Sequence, residues 1–106
     1  MKIKQIRYYA DGDERNYPTG LTSKDLEKTN VLDLYENILH VGIQAAPGTL
    51  LFINEGLKNG GATVTIGATG IYELNTKFEK LSIRFGNAEL NLMEKRPIFI
   101  DIAYEG

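Results

Sequence analysis

With 106 residues, 42% of them hydrophobic and 25% charged, the chain has the length for one domain and the ordinary mix of a folded globular protein, which argues against intrinsic disorder. Its formal net charge is −2 with acids and bases interspersed, so it lacks the basic block that binding nucleic acid through phosphates requires. Cys is absent, which excludes disulfides, thiolate metal sites and cysteine nucleophiles.

The first residues, Met1–Arg7, alternate charged and apolar side chains without a continuous apolar stretch. They fit the start of a strand, Ile3–Tyr9, and not a secretory signal. No apolar run reaches the ~20 residues of a membrane helix. The expectation is synthesis in the cytoplasm, no use of the general secretory route and no membrane partner.

Asp11-Gly12-Asp13-Glu14 is the densest acidic cluster. Close oxygen ligands around a Gly turn can hold Ca²⁺, but the twelve-residue spacing and terminal Glu of an EF-hand are missing. Asp and Gly are also what turns prefer, so a solvated loop is the better reading. Thr22-Ser23-Lys24-Asp25 can open a short helix, with Thr22 as its cap. Val31–Tyr35 is a plausible strand.

From Leu39 to Ala45 the period of two is plain: Leu39, Val41, Ile43 and Ala45 alternate with His40, Gly42 and Gln44. Ala46-Pro47-Gly48-Thr49 reads as a tight turn, with Pro fixing φ and Gly permitting a positive one. Leu50–Ile53 is the next strand, and Asn59-Gly60-Gly61 closes the hairpin loop that follows. Val64 and Ile66 alternate with the β-branched Thr63 and Thr65. Gly67 and Gly70 bracket a second tight turn before a strand at Gly70–Leu74. Leu81, Ile83 and Phe85 alternate with Ser82 and Arg84, and Ala88–Glu94 is a second candidate helix. Ile98, Ile100, Ile102 and Tyr104 share one face of a final strand, with Phe99, Asp101 and Ala103 on the other. Eight short strands and at most two short helices describe a single all-β sandwich spanning residues 1–106. The final strand is expected at a sheet edge, because it lies at the chain terminus and Pro97 cannot donate at its start.

Sites of chemistry are sparse. His40 is the sole histidine, which rules out a three-His zinc site, and its place opposite the apolar face directs it to solvent or to a subunit contact. Glu73 and Asp101 are the one carboxylate pair on strands worth naming for glycosidic cleavage, but any small sandwich offers such a pair by chance. Gly67-Ala68-Thr69-Gly70 lacks the endings of phosphate and dinucleotide loops. No metal or cofactor is expected. Of the six tyrosines, Tyr72 and Tyr104 suit the core or its rim. Tyr9 and Tyr17, flanking the acidic loop, suit an exposed contact surface, because tyrosine is amphipathic and loses little entropy on ordering.

Val41-Gly42-Ile43-Gln44-Ala45-Ala46-Pro47-Gly48-Thr49, Phe52-Ile53-Asn54 and Ile66-Gly67-Ala68-Thr69-Gly70-Ile71-Tyr72-Glu73-Leu74 carry a likeness. With the closing Asp101, Tyr104 and Glu105, this part of the chain resembles small structural proteins encoded among the virion genes of phages and prophages of Gram-positive bacteria. The resemblance covers roughly the C-terminal two thirds. It implies a jelly-roll-like β-sandwich associated with a particle or tail, with no catalytic residues to carry over.

The expected function is therefore non-enzymatic. The chain would pair with itself and with other virion proteins, using Tyr9, Tyr17, His40 and Phe99 as interface candidates. Phe99 and Ala103 would give the last strand a partly apolar second face, better covered than left in water. The rival is a carbohydrate-binding sandwich that attaches to a cell surface, with a glycan as ligand. A small hydrolase using Glu73 or Asp101 is the weakest of the three.

Overall fold

The computed structural model describes residues 1–8, 26–54, 61–75 and 77–106. Seven strands are described: β1 (Lys2–Tyr8), β2 (Ile38–Gln44), β3 (Leu50–Ile53), β4 (Ala62–Thr65), β5 (Ile71–Leu74), β6 (Ile83–Gly86) and β7 (Ile98–Tyr104). A short helix, α1 (Glu89–Met93), precedes the last strand. All pairings among the described residues are antiparallel, in two sheets ordered β1-β7-β2-β5 and β4-β3-β6. The fold is all-β and sandwich-like.

The pairs are nested. β1 lies with β7, β2 with β5, and β3 with β4. The free side of β6 is taken by residues 27–31: Val31 N donates to Ile83 O, and Ile83 N to Asn30 Oδ1, both at 3.0 Å. From outermost to innermost, each early segment thus returns against a late one. Among the described residues that nesting gives a sandwich-like winding.

Two readings of the sequence are corrected here. Val31–Tyr35 is not a strand. Asn30 Oδ1 accepts from Leu32 N at 3.0 Å, Tyr35 N bonds Leu32 O at 3.0 Å, and the adjacent Val31 and Leu32 are both buried. Neighbours in one strand point to opposite faces, so this burial belongs to a turn pressed onto the core. Nor is β7 an edge, since it lies between β1 and β2 in the four-stranded sheet. Pro97 ends just before the ladder begins at Ile98, so its missing donor costs no sheet bond. A smaller adjustment falls at Leu39, where the β2–β7 register slips between Ile38 and His40. This bulge inserts Leu39 as an extra, half-buried residue and lets Ile38 join Val41 and Ile43 in the core.

Both sheets feed one apolar cluster. Ile6, Val41, Ile43, Ile98, Ile100 and Ile102 meet Leu51, Ile53, Ile83 and Phe85, while Leu26 and Leu32 close a side. Full burial of each such side chain contributes about 1.5–3 kcal/mol. The turn over residues 46–49 forms as its sequence predicts: Thr49 N bonds Ala46 O at 3.1 Å and Gly48 takes φ 93°. Fully buried Asn91 ties α1 to this turn. Its Oδ1 accepts from Ala46 N at 2.8 Å, and its Nδ2 donates to Thr49 Oγ1 at 3.0 Å and Ala88 O at 3.2 Å. Tyr9, Tyr17, the acidic run Asp11–Glu14, the helix cap at Thr22 and most of the loop before Gly61 lie outside the described residues.

Candidate functional site

Strand pairing fixes which side chains share the outer face of the four-stranded sheet. Ile6, Val41, Ile43, Ile100 and Ile102 point inward, so their strand neighbours point out. Three rows result. One runs Arg7, Phe99, Gln44, Ile71, and the next Gln5, Asp101, Gly42, Glu73. The last runs Ile3, Ala103, His40 and then Asn75, which continues from β5.

The rows are cross-braced. Gln5 Nε2 donates to Asp101 Oδ1 at 3.0 Å, and Arg7 donates to Gln5 Oε1 at 3.3 Å. The Arg7 guanidinium also lies 5.4 Å from the centre of the Phe99 ring, a cation–π contact that covers part of that half-buried ring. His40 Nδ1 stands 2.6 Å from Asn75 Oδ1. Since Asn75 Oδ1 can only accept, Nδ1 carries the proton in this contact. His40 Nε2 then leans over Gly42, 3.3 Å from where a Cβ would stand. Gly42 leaves the centre of a central strand low, and the imidazole lies across the dip.

A pocket of about 280 Å³ opens at the Phe99 end of this face, lined by Gln44, Ala45, Thr69, Gly70, Ile71, Arg96, Pro97 and Phe99. Its rim is the turn closed by Gly70 N to Gly67 O at 3.0 Å. Gly70 has φ 72°, and a Cβ there would meet Ala45 O at 3.0 Å and the Arg96 guanidinium at 3.1 Å. Among the described residues no carboxylate pairs with Arg96. The face is thus cationic at its Phe99 end, where Arg7 and the pocket's Arg96 lie, and anionic in the row of Asp101 and Glu73. Ile3 and Ile71 stand at opposite corners, 74% and 49% exposed.

Of the residues singled out from sequence, His40 and Phe99 share this face on adjacent strands. Glu73 and Asp101 flank Gly42 from either side, one strand away each. Among the described residues no three His, Asp or Glu side chains gather as a metal-ligand set. The sequence reading missed Gln5, Arg7 and Arg96 as members of the face. For Gln5 and Arg7 the signal was outward alternation in β1, but it locates a shared surface only once β1 is known to lie beside β7. Arg96 lies outside any strand, so alternation gave no signal for it. The segments around Gln44-Ala45 and Thr69-Gly70-Ile71 converge at the pocket.

Comparison of the chain with protein-family models, with curated proteins and with solved structures found no match.

Proposed function

We propose that the chain is a non-enzymatic binding and assembly protein whose contact surface for a protein partner is the outer face of the four-stranded sheet. The observation that carries this reading is the composition of that face. Exposed Ile3 and Ile71, half-buried Phe99 and Ala103, and separated rows of opposite charge lie on one sheet surface. Apolar anchors with Arg and a complementary charge pattern are what specific protein interfaces use. The resemblance of the sequence to phage and prophage structural proteins supports a particle or tail as the setting, with other virion proteins as partners.

Jelly rolls serve both capsids and lectins, so the fold does not separate this reading from glycan binding. One contact favours protein. Sugar stacking needs a free aromatic face, and Arg7 lies over Phe99. Gly42→Gln tests the face directly, because it plants a side chain at its centre where only the movable imidazole of His40 stands close. Purified protein is to be assayed against the products of the genes flanking its own and on a glycan array. The expected result is a protein partner whose binding falls at least about tenfold in Gly42→Gln, a loss worth about 1.4 kcal/mol. A glycan hit lost in the same variant, with no protein partner, would establish the rival instead.

A further inference from the structure

We infer that β4 is a self-pairing edge through which two copies of this chain join their three-stranded sheets into one six-stranded sheet. The inference extends the reading of the chain as an assembly protein but uses a different surface from the face described above.

An exposed sheet edge invites pairing unless it is charged, shortened or covered. The other edges are each defended. β1 carries Lys2, Lys4 and Arg7, so two copies meeting there would set cation against cation. β6 is covered by residues 27–31, with Arg84 also bonded to Glu27 O. β5 carries exposed Glu73. β4 is Ala62-Thr63-Val64-Thr65, without charge or Pro, and its Ala62, Thr63 and Thr65 are exposed. Among the described residues none bonds its outer side. Three of its four residues are β-branched or half-buried in the sandwich, the composition that a paired strand favours.

The ladder phase tells which groups are offered. Ile66 N bonds Thr49 O at 2.9 Å, toward β3. Backbone direction alternates along a strand, so residues 62 and 64 also face β3, and Thr63 and Thr65 present their N–H and C=O outward. A two-fold axis at Val64 keeps the whole of residues 62–66 in register. Thr63 then pairs with Thr65 of the second copy and Thr65 with its Thr63, exchanging both bonds in each pair. Val64 meets Val64 as a non-hydrogen-bonded pair, with Cα atoms about 4.5 Å apart. The neutral strand places no like charges opposite each other, which is why a second copy suits it. An edge this short buries well under the standard of about 800 Å² per partner, so the dimer forms with rising concentration and not as an obligate unit.

The test uses the absence of native Cys. Val64→Cys should cross-link to itself under mild oxidation, because its Cα spacing falls within disulfide reach, whereas Thr65→Cys should not, being offset from its own copy along the strand. In light scattering over a concentration series, the unmodified protein should pass from monomer to dimer. Thr63→Pro removes one outward donor and no bond to β3, and should stay monomeric with an unchanged circular dichroism spectrum. A monomeric mass up to the solubility limit, a failure of Val64→Cys to cross-link, or a dimer that survives Thr63→Pro would each overturn the inference. Loss of the β4 dimer leaves binding through the Gly42 face intact, so the two readings fail separately.

Discussion

A Cβ added to Gly86 would stand 2.6 Å from Cε2 of Phe52, so the phenyl ring occupies the space over the glycine on the outer side of the three-stranded sheet. The Arg84 guanidinium lies over the same ring, 4.7 Å from its centre. Gly86→Ala should therefore overpack this spot and cost about 1–3 kcal/mol. Phe52→Leu should cost some stability alone yet recover part of the loss in the double variant. Urea unfolding of the four proteins measures that coupling. Additive effects would mean that the ring and the glycine are independent.

Asn91 satisfies its whole amide inside the protein, joining α1 to the turn at residues 46–49. Replacing it with the similar-sized Leu leaves Ala46 N without its acceptor and should cost about 2–3 kcal/mol. Thr49→Val removes only the hydroxyl and should cost less. Unfolding midpoints in that order check the network.

Asn30 Oδ1 accepts from one near and one distant donor, Leu32 N and Ile83 N. Asn30→Ala should release the 27–31 segment from β6 and cost about 1–2 kcal/mol. Asn30→Asp keeps an acceptor in place and should retain most of the stability. Hydrogen exchange at Ile83 should rise in the first variant and stay slow in the second.

The alkaline limit follows from two phenols. Burial, then the neighbouring Tyr35, raises Tyr8 above its ordinary 10.0, and burial, then Tyr104, raises Tyr35 likewise. Well below pH 10 both are protonated in folded and unfolded chains, and their contribution is unaffected. As pH rises past 10 the unfolded chain releases these protons while the folded chain retains them, so stability falls until the raised values are passed. Urea midpoints measured from about pH 9 to about pH 11 should decline, and Tyr8→Phe should flatten the decline. A parallel decline in both proteins would assign the alkaline loss elsewhere.

What could be read from the sequence was whatever repeats within one strand. Ile98, Ile100 and Ile102, or Val41 and Ile43, announce a buried face without knowledge of any partner. The turn at Pro47-Gly48 declares itself through the φ angles those residues permit. Val31 and Leu32 misled because two adjacent apolar residues fit a strand or a packed turn, and Asn30 decides between them only by reaching Ile83, far along the chain. The position of β7 was illegible for a similar reason. Alternation is the same in an edge strand and a central one, and only the pairing order separates them. The candidate face inherits that limit, because Arg7, Phe99, Gln44 and Ile71 become one row only when four strands are placed side by side.

The central position of β7 also sets an order of events during synthesis. β1 and β2, made early, leave between them the slot that only residues 98–104 can fill. Until translation reaches those residues, β1 has no described strand to bond with, and Ile6, Val41 and Ile43 lack the three isoleucines that cover them. The nascent chain must wait with apolar surface open, in a topology whose contacts are mostly distant in sequence and therefore slow to close. Premature termination anywhere before Ile98 yields a fragment that cannot complete the larger sheet, and such fragments are natural clients for chaperones and proteases.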